Sequence, residues 1–156
     1  MKRTTNLILF SISLLLFSVV NFYFSNLIAL KLIDGKTYSL GLVDLIYVKN
    51  TGAAFSILQN ATTFLIIIST LAVFLIAYYL FKNLRDDYMK ENLFLALMLS
   101  GILGNLYERL AFGYVRDFFS LTFVNFPIFN ISDIFINIGV FGIIILILLM
   151  KKPIKL

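Results

Sequence analysis

Four stretches of the chain contain no charged residue: Leu7–Leu30, Ala61–Phe81, Asn92–Tyr107 and Ile134–Met150. A helix that crosses a bilayer needs about 20 mostly apolar residues, or about 17 at the short end of the range. The third stretch reaches that length only if it continues past Glu108 and Arg109, so we expect this helix to end near a membrane interface. The chain is therefore predicted to cross the membrane four times.

Composition supports the same prediction. Apolar residues make up 61% of the chain and charged residues 13%, against roughly 45–50% and about 25% in soluble domains. We predict a membrane all-α fold, a four-transmembrane-helix bundle with a small β-cradle on the outer face. Residues 1–156 form one integral membrane domain, with spans at about 7–30, 61–81, 92–110 and 134–150.

The basic residues predict the orientation. Eight of the thirteen fall at the two termini or between spans two and three: Lys2, Arg3, Lys82, Arg85, Lys90, Lys151, Lys152 and Lys155. The positive-inside rule makes that side cytoplasmic, with both termini inside. Segments 31–60 and 108–133 then share the outer side. The first apolar run is longer than the about 7–15 residues of a cleaved signal, so we expect it to be retained as a helix.

Several classes of chemistry are excluded by composition. The chain has no Cys and no His, which removes thiol nucleophiles, disulfides, zinc–histidine sites and a Ser-His-Asp triad. No glycine-rich phosphate loop follows a strand, and the basic residues form no stripe suited to nucleic acid. We therefore predict no metal, no cofactor and no nucleic-acid partner.

The two outer segments have distinct local signals. Residues 37–48, TYSLGLVDLIYV, are rich in β-formers and predict short strands. The sequence Asn50-Thr51-Gly52 then predicts a turn, and Ala53-Ala54 permits close backbone approach.

In the second outer segment, the small residues Gly101 and Gly104 suit tight helix packing. Gly113 should break the chain, and Phe126-Pro127 predicts an extended turn before the last helix.

Two aspartates carry the strongest functional signal. Asp117 and Asp133 flank the same predicted non-helical connection beside apolar segments. A carboxylate near hydrocarbon is costly, so an acid in this position suggests a function. Two close acids do not easily ionise together, which leaves one protonated acid and one carboxylate base. We expect hydrolysis at a membrane face. One such acid alone would more simply be an interfacial helix cap. The other loop aspartates are expected only to be solvated: Asp34, Asp44, Asp86 and Asp87.

Three sequence boxes resemble a known family. KNTGAAFS at 49–56, GNLYER at 104–109 with GYVRDF at 113–118, and FPIFNISD at 126–133 resemble the signature boxes of the lipoprotein signal peptidases, the signal peptidase II family. Their order, their spacing and the four-span layout all match. The resemblance therefore covers essentially the whole chain.

The resemblance implies roles for individual residues. Asp117 and Asp133 fall on the positions of the family's catalytic dyad. Further positions shape the site and hold the substrate backbone in the family: Asn50, Gly52, Asn105, Arg109 and Asn130. The strand-like stretch before Asn50 corresponds to the small outer-face sheet that cradles the site.

The resemblance also implies a substrate and a location. The substrate is a diacylglyceryl-modified prolipoprotein, cleaved just before the lipidated cysteine. The enzyme is then expected to be a monomer, surrounded by lipid in the bacterial inner (cytoplasmic) membrane, with its site toward the outer face.

Three departures from the family pattern leave alternatives open. The family usually carries an Asp-Gln pair and a nearby Lys at the outer end of the first helix, where this chain has Asn21–Ser25. Glu108 replaces the usual Asp, and Ser132 a typical Ala. A catalytically impaired paralogue therefore remains an alternative.

Two further alternatives concern the function class. One is a small membrane carrier that uses the aspartates as a proton or cation relay, which would more often place its acids in mid-helix and show repeated halves. The other is a presenilin-type protease, which would have more spans and both acids on helices within the bilayer.

Overall fold

The computed structural model describes residues 2–32, 34–53, 57–83 and 89–149. Within these ranges it contains four helices and three strands: α1 (Lys2–Leu32), β1 (Tyr38–Ser39), β2 (Val43–Asn50), α2 (Thr62–Asn83), α3 (Met89–Phe112), β3 (Val115–Leu121) and α4 (Ile131–Leu149). Some residues used in the sequence predictions lie outside the described residues: Ala54, Arg85, Asp86, Asp87, Lys151, Lys152 and Lys155.

The four predicted spans are confirmed. All four helices are long and apolar enough to cross a membrane, over Thr4–Leu32, Thr62–Lys82, Glu91–Phe112 and Ile131–Leu149. Large apolar side chains such as Phe81 and Leu148 are more than three-quarters exposed on them, as expected of surfaces that face lipid. The last helix begins three residues before the predicted start, so Asp133 lies in its first turn and not in the preceding connection.

Helix α3 packs against the other three helices. Small residues permit the contact with α4, because a Cβ on Gly101 would collide with the backbone oxygen of Ser132. A Cβ on Gly139 of α4 would lie 2.6 Å from the Cβ of Met98. The predicted close packing at the Gly101 and Gly104 positions is therefore confirmed, and it brings the C-terminal part of α3 against the N-terminal part of α4.

The strands form one antiparallel sheet in the order β1-β2-β3. The predicted strands before Asn50 are present, but Asp44 lies on β2 and not on a loop. The non-helical segment that contains Asp117 is a strand that the sequence did not predict, since β3 pairs with β2 and sets Val48 opposite Asp117. Strand β3 carries two charges in its first three residues. These charges interrupt the apolar pattern that would predict a strand from the sequence.

The two faces of β3 have different partners. Phe118 is fully buried against Ala29 and Leu32 at the outer end of α1. Asp117 points to the opposite face, since successive side chains alternate along a strand. This alternation anchors the sheet on α1 and leaves the Asp117 carboxyl free to face the ends of α3 and α4.

A buried ion pair joins the end of α3 to β3. Arg116 donates from Nη2 and Nε to Glu108 Oε1 at 2.7 and 3.0 Å, and from its backbone N–H to Oε2 at 2.7 Å. Both residues are less than one-tenth exposed. The pair fixes the turn at Gly113, whose φ of 80° suits glycine.

We predict that Glu108→Gln lowers the free energy of unfolding by about 3–5 kcal/mol, because it leaves the buried Arg116 charge without a counter-charge. The matched control is Lys36→Gln, which removes an exposed ion pair with Asp34 at 3.6 Å. That loss should be about 0–1 kcal/mol. Unfolding in detergent measures both, and equal losses would contradict a structural role for the buried pair.

Candidate active site

Asn130 caps helix α4 and orients Asp133. The backbone N–H of Asp133 donates to Asn130 Oδ1 at 2.9 Å, and the backbone N–H of Asn130 donates to Asp133 Oδ2 at 3.1 Å. This reciprocal pair has the form of a capping box. It holds the Asp133 carboxyl at the N-terminus of the helix, where the helix dipole favours negative charge.

Asp117 is held by two side-chain amides. Asn50 Nδ2 donates to Asp117 Oδ2 at 2.8 Å, and Asn130 Nδ2 donates to Oδ1 at 2.8 Å. Asn50 pairs with Val115 in the sheet, so it lies diagonally opposite Asp117 on the same face. The register of the two strands thus places the Asn50 amide on the Asp117 carboxyl.

Asn130 joins the two aspartates. Its side-chain amide binds the Asp117 carboxyl while its backbone N–H binds that of Asp133. Asn105 on α3 completes the link, since its Nδ2 donates to Asp133 Oδ1 at 2.8 Å and its Oδ1 accepts from Asn130 at 3.1 Å. The structure therefore brings both carboxyls into one hydrogen-bonded cluster on one side of the bundle.

The turn after β2 connects Arg109 to the same cluster. The Gly52 N–H donates to Asn50 Oδ1 at 2.9 Å, and Arg109 Nη2 donates to the Gly52 carbonyl at 2.9 Å. A Cβ at Gly52 would lie 2.7 Å from the Ile57 carbonyl oxygen, so the close approach requires glycine. Arg109 Nε is buried and has no hydrogen-bond partner among the described residues.

All seven residues named from the sequence thus lie in one hydrogen-bonded cluster, supplied by β2 and the turn after it, by α3, by β3 and by the start of α4: Asn50, Gly52, Asn105, Arg109, Asp117, Asn130 and Asp133. The importance of Arg116 was not predicted from the sequence. Its ion pair with Glu108 holds the backbone beside the site residues Asp117 and Arg109. The sequence signal for this pair was weak, because Gly113 separates the two charges.

Burial dominates the electrostatics of Asp117. It raises the pKa of this carboxyl to about 7, helped by the nearby Asp133 charge, while the hydrogen bonds from Asn50 and Asn130 act in the opposite direction. A carboxyl with a pKa near neutrality exchanges its proton readily at working pH, as general acid–base chemistry requires.

A cleft of about 560 Å³ opens beside this carboxyl. It is bounded by the end of β2, by Asp117 and by the extended segment 125–128. Within the described ranges, no group of three or more acidic, His or Cys side chains could hold a metal ion. The cleft can hold an extended chain beside the Asp117 carboxyl, which Asn130 links to the carboxyl of Asp133.

Comparisons with known proteins agree with this architecture. Residues 6–149 match the family model described as signal peptidase (SPase) II. A lipoprotein signal peptidase of Lactiplantibacillus plantarum is 43% identical over 67% of this chain and 69% of its own length. A lipoprotein signal peptidase of Streptococcus pneumoniae is 41% identical over 72% of both chains.

Two solved structures, both described as bacterial membrane enzymes, share the fold. One has a TM-score of 0.81 at 26% identity and covers 94% of each chain. The other has a TM-score of 0.71 at 27% identity and covers 96% of this chain and 95% of its own. With a family model that matches nearly the whole sequence, these similarities establish that the chain belongs to the signal peptidase II family.

Proposed function

We propose that this chain is an aspartic-type endopeptidase that cleaves diacylglyceryl-modified prolipoproteins just before the lipidated cysteine. Membership of the signal peptidase II family supports a peptidase that removes signal peptides from prolipoproteins. The observation that carries the aspartic mechanism is that Asn130 binds the carboxyls of both Asp117 and Asp133.

The two carboxyls act together on one water. The ionised carboxyl takes a proton from water as the oxygen attacks the scissile carbonyl carbon. The protonated carboxyl donates a hydrogen bond to the carbonyl oxygen, and a proton passes to the amine as the C–N bond breaks. A coupled pair titrates as a unit, so the roles of acid and base belong to the dyad and not to one residue.

The surrounding amides orient the carboxyls, and the donors that remain hold the substrate. Amides of Asn50, Asn105 and Asn130 already offer N–H groups at the carboxyls. The unpartnered Nε of Arg109 is a further buried donor, which a substrate carbonyl could accept from. Fixed donors of this kind stabilise developing negative charge without reorganising at the moment of reaction. Gly52 keeps the backbone of the turn close to the same position.

We propose that the site lies at the outer membrane face. The C-terminal ends of α1 and α3 and the N-terminal ends of α2 and α4 surround the sheet, and the clusters of basic residues fall at the opposite ends. With the positive-inside rule, both termini are cytoplasmic. The enzyme works as a monomer in the bacterial inner membrane, surrounded by lipid.

The carrier and presenilin-type alternatives receive less support. A relay would more often place its acids in mid-helix, whereas Asp133 lies in the first turn of α4 and Asp117 on a strand. A presenilin-type protease would have both acids on helices within the bilayer and more than four spans. The impaired-paralogue alternative is decided by direct assay.

We predict that Asp117→Asn and Asp133→Asn each reduce turnover at least about 10²–10⁴-fold, because an amide cannot exchange a proton with water. The double variant should be hardly worse than either single variant, since the two residues act as a unit. Asp34→Asn, at an exposed position, is the control and should retain activity.

The assay for these variants is cleavage of a purified diacylglyceryl-modified prolipoprotein, with the unlipidated protein in parallel. Wild type should cleave the lipidated substrate and leave the other intact, and a chelator should change neither result. Equal cleavage of both would overturn the substrate assignment. No cleavage by wild type would favour the impaired paralogue, and full activity of either asparagine variant would reject the dyad.

We predict a pH-dependent stability difference between wild type and Asp117→Asn. The carboxyl has a pKa of about 7 in the folded protein and about 4 when unfolded. Folding therefore favours its protonated form, and this contribution is complete below pH 4 and is lost as the pH rises to 7. Unfolding of both proteins between pH 4 and 8 measures it: the variant should gain relative stability across this window, and a constant difference would contradict the raised pKa.

We predict that Asn50→Ala lowers turnover by about 10²-fold, the usual effect of losing one preorganised donor. The fold should change little, because Asn50, the last residue of β2, makes one hydrogen bond with Asp117 and one with Gly52. Initial rates and thermal unfolding separate the two effects. Turnover within about threefold of wild type would remove Asn50 from the site.

A further inference from the structure

A second buried polar cluster lies between α1, α3 and α4, outside the dyad. Asn21 and Ser132 hydrogen-bond in both directions, with Asn21 Nδ2 to Ser132 Oγ at 2.9 Å and Ser132 Oγ to Asn21 Oδ1 at 3.2 Å. Asn21 Nδ2 also reaches the carbonyl oxygen of Ser100 at 3.3 Å, and Ser25 Oγ donates to Asn21 Oδ1 at 3.4 Å. Asn21 is 3% exposed and Ser132 is 5% exposed.

The surrounding helices are shaped around this cluster. A Cβ on Gly104 would collide with both Asn21 Nδ2 and Ser132 Oγ, so the missing side chain makes the room they occupy. Hydrogen bonds between membrane helices stabilise their association, and a buried amide left without a partner would be unfavourable. The cluster therefore holds three helices in one relative position.

Ser132 connects this cluster to the site through one peptide bond. It precedes Asp133 in the first turn of α4, and its carbonyl oxygen packs against Gly101 of α3. The capping bonds of Asn130 fix the turn from the side of the sheet. The hydrogen bonds between Ser132 and Asn21 hold the first turn of α4 from the side of α1. Contacts on two sides thus restrict rotation of this turn about the helix axis.

We propose that Asn21 and Ser132 are positioning residues, which set the place of the Asp133 carboxyl relative to Asn105 and Asp117. The inference rests on the proposed function and adds residues that do not touch the substrate. The pair lies where the family pattern has an Asp-Gln pair with a nearby Lys on the first helix and an Ala before the second aspartate. A neutral link between α1 and α4 therefore supports the site of this chain.

The test compares Ser132→Ala and Asn21→Ala with Ser100→Ala. The Ser100 hydroxyl is equally buried but donates only to the Leu97 carbonyl in its own helix, at 2.9 Å, so its loss leaves α4 untouched. We expect kcat on a diacylglyceryl-modified prolipoprotein to fall about 10-fold in each of the first two variants, since small misplacements of catalytic groups are costly. KM should stay within about twofold, and Ser100→Ala should match wild type within about twofold.

Two further variants separate positioning from stability. The double variant Asn21→Ala with Ser132→Ala should be no slower than either single variant, because both remove one link. Ser132→Thr keeps the hydroxyl and should recover most of kcat. Each kcat is normalised to folded protein, so a loss of folded protein alone does not lower it.

The outcomes are distinct for the two proposals. If wild type cleaves the substrate and Ser132→Ala behaves as Ser100→Ala does, the positioning role is wrong and the proposed function stands. If kcat and KM change together, or the two single variants add, the link to Asp133 is also rejected. If wild type does not cleave, both proposals fall together.

Discussion

The cost of burying two carboxyls organises the end of the helix bundle at which the sheet lies. An isolated buried carboxylate is unfavourable by far more than one hydrogen bond returns. Three elements therefore supply a donor to the carboxyls: β2 through Asn50, α3 through Asn105, and the start of α4 through Asn130. Burial raises the pKa of Asp117 and these hydrogen bonds lower it only in part, so the pKa is about 7. Burial of Asp117 lowers the stability of the fold, but it also raises the pKa of the carboxyl to a value suited to proton transfer.

Rigidity of this arrangement comes from a second ring of contacts. Glu108 and Arg116 each precede a site residue, Arg109 and Asp117, and their ion pair holds those two backbones together. Ser132 precedes Asp133 and is bound from α1. In each case the supporting residue points away from the site while its neighbour points into it. In each of these pairs of adjacent residues, one residue holds the backbone in place and the next one belongs to the candidate active site.

Much of this organisation could be predicted from the sequence, and the failures have physical reasons. Long uncharged runs mark spans reliably because no water is available to satisfy exposed backbone in the bilayer. Strand β3 was missed because its pairing with β2 is between distant segments, and Arg116 and Asp117 interrupt the apolar pattern of a strand. The start of α4 was placed too late because the uncharged run begins only after Asp133, whereas the helix is capped at Asn130 through an Asp133 side chain that folds back. The two aspartates could be identified from the sequence, but the role of Asn130 in binding both carboxyls follows only from the three-dimensional structure.

Asn130 has a further consequence for how this protein can change over generations. Its backbone N–H, its side-chain oxygen and the hydrogens of its amide are all committed, to Asp133, Asp117 and Asn105. Aspartate would lose both donors, serine would lack the second donor, and glutamine would displace the cap by one methylene. A lipid-facing position such as Leu148 needs only to remain apolar. Tolerance to random mutation is therefore very uneven along this chain. Asn130 accepts few other residue types, although it exchanges no proton with the substrate.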